Sequence, residues 1–230
     1  MRRRLLLTAV LLLLTTGCAY TVQGRPVAGP LPPVPTTQCQ YPRDPDSATS
    51  TRVQPPGEYE VPLKGTSVFT LATGEGDIEL TLDAASAPCA VHNFRHLVGK
   101  RFYDGTKCHR LVTEGIRIIQ CGDPTGTGSG GPGYRYDDPK AKTGGYARGV
   151  VGMANRGTPG TNGSQFFIVY EDSEFPPHYP VIGRVTRGLD VVEEVAALGV
   201  QPTYTEDRKT VQQTDGPPVV DFKFTTVREK

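Results

Sequence analysis

Four side chains in the middle of the chain have the properties needed to act on a peptide amide. Arg110 carries a permanent positive charge on a fork of N–H donors, and Phe167 offers a flat apolar face. Gln120 and Gln165 can each donate and accept hydrogen bonds. The amide before a proline rotates slowly because its C–N bond has partial double-bond character. A charged donor aimed at the nitrogen of the twisted amide stabilises that state, so these residues together could grip such an amide and rotate it.

These residues stand in three of five short motifs that follow one another along the chain. In chain order the motifs read Phe102-Tyr103-Asp104-Gly105-Thr106, His109-Arg110, Gln120-Cys121-Gly122-Asp123, Gly149-Val150-Val151-Gly152-Met153-Ala154-Asn155 and Asn162-Gly163-Ser164-Gln165-Phe166-Phe167-Ile168. Their types and order resemble the cyclophilin family of peptidyl-prolyl cis/trans isomerases, from roughly Val68 to Val227. Because several motifs occur in the family's order, the resemblance does not rest on one of them.

The resemblance implies a role for each candidate residue. Arg110 would stabilise the twisted amide, Gln120 would orient Arg110 and the substrate carbonyl, and Phe167 would receive the proline ring. Alternation along a strand then turns Phe166 into the core. The substrate-binding residues that the resemblance implies are Ile118, Ala154, Asn155, Arg156, Gln165, Phe175 and Tyr179.

The chain departs from the family pattern at the wall of the expected proline pocket. Two more residues than usual separate Arg110 from Gln120, and Arg117-Ile118 replaces the usual Phe-Met pair. Ile118 can still offer an apolar wall. Arg117 cannot replace a pocket phenylalanine, so that role is filled only if Ile116 moves into it. We therefore expect a lower isomerase activity than in family members that keep the usual Phe-Met pair.

Other departures concern ligand preference. Arg156 stands where alanine is common, which predicts a different peptide preference. Tyr179 stands in the place of a groove histidine, and its ring and hydroxyl allow catalysis to survive. The chain has no tryptophan, and since the family members most sensitive to cyclosporin carry one near Phe175, we expect weak cyclosporin binding.

The first residues have the composition of an export signal. Arg2-Arg3-Arg4 precedes an apolar run from Leu5 to Leu14, which is about half the length of a bilayer span. The segment before Cys18 resembles a bacterial lipobox, so residues 1–17 are predicted to be a lipoprotein signal peptide and Cys18 to be lipidated. The protein would then be exported and anchored to the outer face of the bacterial cell membrane. Ordinary cleaved secretion and an uncleaved anchor are the alternatives.

The net charge and the histidine spacing limit the classes of partner that the chain is expected to bind. Without its three leading arginines the chain has 22 Lys+Arg (25 − 3) against 24 acids, a net charge of −2, so nothing suggests a nucleic-acid partner. His92 and His96 are four apart but lack a metal-binding pattern, and we expect no metal or cofactor. The expected partners are proline-containing peptides and unfolded exported proteins, bound by a monomer.

The cysteines and prolines define the organisation of the chain. Nine prolines lie between Tyr20 and Gly57, so residues 18–57 are predicted to form a Pro-rich flexible tether ahead of an isomerase domain at 58–230. With Cys18 lipidated, four cysteines remain, and an exported protein favours two disulfides in one of three pairings. The resemblance places Cys108 and Cys121 on neighbouring strands, and their pairing leaves Cys39 with Cys89.

Hydrophobic patterns predict many strands and two helices. Val68–Thr73 and Asp77–Leu82 form a hairpin signal, and helices are predicted from Pro88 to Gly99 and from Leu189 to Gly199. Further short strands are predicted at Ile116–Gln120, Val150–Asn155, Phe166–Tyr170, Val181–Val185 and Val219–Val227. The fold class is mainly β, and the resemblance implies a closed eight-stranded antiparallel β barrel capped by two α-helices.

A GxGxxG match at residues 126–131 would suggest a dinucleotide site only if a helix followed it. Pro132-Gly133 follows it instead, so we interpret it as a loop at the edge of a groove.

Two alternatives compete with the leading functional hypothesis. The leading hypothesis is an isomerase acting during the folding of exported proteins. The alternatives are a holding module that binds proline-containing segments with little turnover, and a structural protein that uses the fold as a scaffold.

Overall fold

A computed structural model describes residues 21–22, 25–26, 33–48, 52–57 and 60–230 of the chain. The chain divides into two units, Met1–Pro33 and Val34–Lys230. In the first unit, strand β1 (Thr21–Val22) pairs with strand β2 (Arg25–Pro26) in antiparallel fashion. The predicted signal peptide and Cys18 lie outside the described residues.

The second unit contains the remaining strands and two helices. Its strands are β3 (Thr36–Gln38), β4 (Glu60–Pro62), β5 (Thr66–Thr73), β6 (Asp77–Asp83), β7 (Arg110–Val112), β8 (Ile118–Cys121), β9 (Val150–Met153), β10 (Phe166–Val169), β11 (Val181–Arg187), β12 (Thr203–Tyr204), β13 (Thr210–Val211), β14 (Asp215–Gly216) and β15 (Phe224–Glu229). Its helices are α1 (Pro88–Gly99) and α2 (Leu189–Ala197). The mainly β class, the hairpin and both helices are therefore confirmed.

Nine of the strands form one antiparallel sheet in the order β14-β7-β8-β10-β9-β11-β6-β5-β15. The sheet curls, so that residues just before β7 are hydrogen-bonded to residues at and just before the start of β15. The N–H groups of Gly105 and Cys108 donate to the carbonyls of Phe224 and Phe222, each at 2.8 Å, and the N–H of Phe224 donates to Thr106 at 2.9 Å. Short β7 and β14 escaped the sequence patterns because two or three residues carry no readable alternation.

The ends of both helices follow local chemistry. Pro88 suits the first position of α1, where its missing N–H costs nothing. Gly188 precedes α2 with φ of 78°, and a Cβ there would lie 2.2 Å from the carbonyl oxygen of Asp77. Only glycine fits that approach, which brings α2 close to the turn before β6.

Strand alternation divides the apolar residues between two clusters. Along β10, Phe166 and Ile168 enter the main core inside the curled sheet, as predicted for Phe166. Phe167 and Val169 point to the outer face, where they belong to a second and smaller cluster. A single four-residue strand thus serves both the core and the outer surface that carries the candidate site.

The segment before the sheet packs on it from Val34 onward. β3 pairs with β4 in antiparallel register, and Tyr41 is only 6% exposed with its hydroxyl donating to the carbonyl of Cys89 at 3.1 Å. The second unit therefore begins at Val34, within the range 18–57 assigned to the tether. Sequence reasoning missed this because the segment has few large apolar residues.

Two disulfides join Cys39 to Cys89 and Cys108 to Cys121, as the sequence predicted. The first closes a separation of 50 residues and holds the N-terminal segment to the start of α1. The second links the residues before β7 to the end of β8, beside the candidate catalytic residues. Among the described residues, no helix has the length and apolarity to cross a bilayer.

Candidate active site

The candidate catalytic residues lie on the outer face of three neighbouring strands. Arg110 of β7 is opposite Gln120 of β8, and Gln120 is opposite Phe167 of β10. One register step away, Ile118 lies opposite Val112 and Val169. Because residues two apart share a face of a strand, the pairing brings these side chains together although fifty residues separate the motifs.

A chain of polar side chains begins at the arginine. The Gln120 Oε1 atom accepts a long hydrogen bond of 3.4 Å from Arg110 Nη1. Gln120 Nε2 donates to Gln165 Oε1 at 2.7 Å. Gln165 in turn donates to the carbonyls of Gly128 and Gly130, both at 2.9 Å. The two glutamines are therefore fixed in orientation, and they connect the arginine to the glycine-rich loop.

Asp215 holds the arginine from the other side. Arg110 Nε and Nη2 donate to the two carboxylate oxygens of Asp215, each at 2.7 Å, in a bidentate ion pair. These hydrogen bonds are the main reason that the pKa of Arg110 is raised and the pKa of Asp215 is lowered. The fork geometry fixes the guanidinium plane, and the Nη1 group is directed toward Gln120.

An aromatic cluster surrounds the predicted proline pocket. The ring of Phe167 meets Tyr146, Phe175 and Tyr179 edge to face, with centroids 5.6 to 6.0 Å apart. Tyr146 and Phe175 stack at 3.8 Å. Such a wall offers an apolar surface for a pyrrolidine ring.

Gly152 of β9 makes room for the Phe167 ring. A Cβ at this position would lie 2.4 Å from Cζ of Phe167, closer than carbon atoms approach. The two residues are opposite each other in the register of β9 and β10. A glycine in the middle of a strand weakens it, and here the absence of a side chain leaves space for the tip of the Phe167 ring.

The altered pocket wall uses both isoleucines. Ile118 is buried in the outer cluster, and Ile116 packs against it. Arg117 turns away, since its guanidinium pairs with Glu171 at 3.7 Å and its backbone N–H donates to Ser173 Oγ at 2.8 Å. Ile116 thus adds an apolar side chain to the outer cluster that contains Phe167.

A polar cavity of about 360 Å³ adjoins the two glutamines. It is lined on one side by three predicted substrate-binding residues, Ala154, Asn155 and Arg156, and on another by residues 128–132. The GxGxxG segment is a loop at its edge, as predicted, and no helix follows it among residues 128–149.

Asp123 organises that loop. Its carboxylate accepts backbone N–H groups at 2.5 to 3.1 Å from Thr125, Thr127, Gly128 and Gly130. Burial would raise the pKa of Asp123, but the hydrogen bond from the Thr125 hydroxyl at 2.7 Å and the backbone N–H groups outweigh burial and hold that pKa below its ordinary value. The charged carboxylate of Asp123 therefore holds the loop in the conformation in which the carbonyls of Gly128 and Gly130 accept from Gln165.

The comparison with known proteins decides the family. Residues 68–216 match the model of the family described as cyclophilin type peptidyl-prolyl cis-trans isomerase/CLD. The chain belongs to the cyclophilin family. The matched range contains every catalytic and substrate-binding residue predicted for this cyclophilin domain, and Asp215 lies at its end.

Individual relatives agree with this assignment. The chain is 40% identical over 205 residues to a probable peptidyl-prolyl cis-trans isomerase B of Mycobacterium leprae, covering 83% of this chain and 66% of the relative. Its identity to the corresponding Mycobacterium tuberculosis protein is also 40%, over 75% of this chain and 62% of the relative. The chain therefore spans less than two thirds of the length of these curated relatives.

Solved structures show the same fold. A cyclophilin-type isomerase of Cryptosporidium parvum has a TM-score of 0.57 and 28% identity, over 72% of this chain and 98% of that one. Its structure in the presence of the dipeptide Ala-Pro gives a TM-score of 0.54 at 29% identity, over 70% of this chain and 96% of that one.

Three residues of the site were missed in the sequence. Tyr146 lies in a glycine-rich stretch without periodicity, yet it is 3% exposed and its hydroxyl donates to the carbonyl of Tyr179 at 3.1 Å. Asp215 follows a run of polar residues that predicts a loop. Asp44, which lines the polar cavity, falls in the predicted tether. Only long-range pairing brings these residues to the groove, so no local signal identifies them.

Proposed function

We propose that this cyclophilin is a peptidyl-prolyl cis-trans isomerase that uses the groove on the outer face of β7, β8 and β10. One observation carries the proposal: the Nη1 group of Arg110 lies beside Gln120, in register with the aromatic pocket around Phe167. A cationic donor and an apolar ring receptor on one wall are what a twisted prolyl amide requires.

The residues would act without breaking any covalent bond. The pocket around Phe167 holds the proline ring while the rest of the peptide turns about the amide. Gln120 orients the substrate carbonyl and the arginine. Arg110, held in plane by Asp215, donates from Nη1 to the prolyl nitrogen as that atom regains its lone pair in the twisted state. Because the donor is oriented before the substrate binds, little reorganisation is needed during the rotation.

The test is catalysed exchange of an Ala-Pro peptide, measured by NMR with the mature chain and with Arg110→Lys and Arg110→Ala. We expect a loss on the order of 100-fold in catalysed exchange for both variants, because an ammonium group does not reproduce the bidentate fork. Arg95→Lys is the matched control. Arg95 lies on α1, and its guanidinium forms a similar bidentate pair with Glu229 of β15, at 2.7 and 2.9 Å.

The outcomes separate the candidate functions. Exchange that is accelerated by the parent chain and by Arg95→Lys, and lost in both Arg110 variants, supports the isomerase and its site. Peptide binding without acceleration by the parent would replace the isomerase with a holding module. Full activity of Arg110→Ala would remove Arg110 from the mechanism.

We also propose that the protein acts on exported proteins after lipidation at Cys18. The basic and apolar run before Cys18 and the two disulfides, which suit an oxidising compartment, support this location. Cys18→Ala should abolish both the mass increment of the lipid and membrane association. An unchanged mass would favour ordinary secretion.

The proposed clients are proline-containing segments of unfolded exported proteins, bound by a monomer. Weak cyclosporin binding remains a prediction from the absence of tryptophan. Submicromolar inhibition would contradict it.

We further propose that β5 to β11 and β15 close into an eight-stranded barrel, with β14 as a short addition at the edge. The hydrogen bonds from Gly105 to Phe224 of β15, and from Cys108 to Phe222 just before β15, support closure. The amides of Gly105, Cys108 and Phe224 should exchange with solvent as slowly as those within the sheet. Fast exchange at all three would indicate an open edge.

A further inference from the structure

An N-terminal strap, residues 39–48, borders the polar cavity beside the catalytic groove. It lies outside the range 68–216 that matches the family. Its start is held by the Cys39–Cys89 disulfide. Farther along, the N–H of Asp44 donates to the carbonyl of Gly133 at 3.1 Å, and the N–H of Arg135 donates to Pro42 at 2.9 Å. The strap is thus fixed covalently and by backbone pairing.

The far end of the strap pairs with the glycine-rich loop. Ala48 donates its N–H to the carbonyl of Ser129 at 3.2 Å and accepts from the N–H of Gly131 at 3.0 Å. A Cβ on Gly131 would lie 2.8 Å from Ser47 Oγ, so the glycine permits this close approach. The strap and the loop together therefore form one continuous wall of the cavity.

An ion pair across the cavity connects the strap to the substrate-binding segment. Nη2 of Arg156 lies 2.5 Å from Oδ2 of Asp44, whose side chain is only 6% exposed. The arginine that stands where the family commonly has alanine therefore reaches over the cavity to the strap. Asp44 uses this pair to offset the cost of its burial.

The cavity has an excess of negative charge. Of the described residues that line it, Asp44, Asp46 and Arg156 are charged, which gives a net charge of −1 (two carboxylates and one guanidinium). Asp46 pairs with the same guanidinium only at 4.0 Å and is 73% exposed, so its carboxylate can still attract a second cation. Gln120 and Gln165 also line the cavity, so an occupant of the cavity would lie next to the candidate catalytic residues.

We propose that the strap makes this cavity a subsite that selects a cationic side chain, lysine or arginine, in the peptide segment preceding the proline. This inference rests on the proposed isomerase function. Asp46 supplies the attracting carboxylate, and the Asp44–Arg156 pair holds the strap over the cavity. An acidic side chain at the same place meets the excess negative charge and is disfavoured.

The test uses the mature chain and peptides that carry Lys, Ala or Glu at the second or third residue before the proline, with NMR exchange as the readout. At low ionic strength, we expect the ratio of kcat/KM for the Lys and Glu peptides to be about three-fold or more at one of the two positions, a size typical of exposed charge pairs. Asp46→Asn should bring this ratio close to one, while exchange of the Ala peptide stays unchanged. Added salt should reduce the ratio in the parent.

Two controls separate the subsite from general charge effects. Glu75→Gln removes one negative charge from the exposed turn between β5 and β6, and it should leave the ratio intact. The Cys39→Ser/Cys89→Ser double variant releases the start of the strap, and it should lower the ratio while the Ala peptide is still turned over.

The outcomes distinguish this inference from the proposed function. Equal rates for the Lys and Glu peptides in the parent, with all peptides accelerated, would overturn the subsite and leave the isomerase intact. An Asp46→Asn variant that keeps the parent ratio would also overturn it. Failure to accelerate any peptide would overturn the isomerase function on which the subsite rests.

Discussion

The two ends of the groove are built in different ways. The apolar pocket around Phe167 uses residues of β8, β9 and β10, with Tyr146 and two aromatic residues from the loop after β10. The polar cavity depends on a strap that is distant in sequence and held by a disulfide. Gln120 lies between the two ends. In the proposed mechanism the sheet supplies the residues for amide rotation, whereas the strap supplies the preference for the peptide.

The energetics of the two ends differ as well. Burial of aromatic rings at the apolar end is non-directional and worth several kcal/mol in total. The polar end relies on charges at a partly exposed surface, each worth about 1 kcal/mol or less and weakened by salt. A change at the apolar end should therefore affect both folding and catalysis. A change at the polar end should affect preference and local stability.

The largest effect is expected at Phe167. Phe167→Ala removes a ring that is 3% exposed, so we expect a loss of about 3 kcal/mol or more in unfolding free energy together with most of the catalysed exchange. Phe167→Leu keeps much of the volume, and it should stay folded with a smaller loss of exchange. Denaturant unfolding and Ala-Pro exchange measure the two effects. Full exchange activity in a folded Phe167→Leu or Phe167→Ala protein would contradict the role of the pocket.

An intermediate effect is expected at Asp138, beside the anchor of the strap. Burial is the main cause that raises the pKa of Asp138 to about 7, although its carboxylate accepts the N–H of Ala90 at 2.8 Å. The folded state then holds a proton that the unfolded state releases near pH 4. The unfolding free energy should therefore fall as pH rises from about 4 to 7, by on the order of 1 kcal/mol per pH unit.

Asp138→Asn tests this linkage. The amide keeps an oxygen to accept from Ala90 and does not ionise, so the fall in unfolding free energy between pH 4 and pH 7 should largely disappear. Asp221→Asn, an exposed carboxylate paired with Lys223, is the control and should leave the fall in place. An identical pH profile for the parent and Asp138→Asn would show that Asp138 is not the titrating group.

The smallest effect is expected at Asp215, which orients the arginine between the two ends of the groove. Asp215→Asn should lower kcat for the Ala-Pro peptide by roughly two- to five-fold with little change in KM, because a partly exposed pair contributes modestly. Glu229→Gln, which frees the fork of Arg95, is the matched control. An unchanged kcat would mean that Gln120 alone orients Arg110.

The pH dependence of this pair has the opposite sign to that of Asp138. Since Arg110 lowers the pKa of Asp215, the stability from the pair is present above the ordinary carboxylate pKa of 3.8 and is lost as pH falls through the lowered value. The stability difference between the parent and Asp215→Asn should therefore vanish only at strongly acidic pH.

Much of the fold could be predicted from local patterns. The β5–β6 hairpin has strong alternation, and α1 has its apolar residues on one face between Pro88 and Gly99. The candidate catalytic residues Arg110, Gln120 and Phe167 were predicted because their motifs resemble a known family. By contrast, β7 and β14 are too short to show periodicity, and the strap lacks the large apolar residues that predict packing.

The sequence by itself determined the residue types that suit the chemistry, namely a charged donor, two amides and an apolar ring, and its resemblance to a known family implied their roles. It left three pairings of the four cysteines open, and the structure has the pairing that the resemblance implied. Only the tertiary structure decided that Asp215 holds Arg110, that Ile116 packs on the outer cluster while Arg117 pairs with Glu171, and that Asp44 meets Arg156 beside a polar cavity. These contacts join residues up to 112 positions apart, and such pairs are set by the path of the chain through the fold and not by any local pattern.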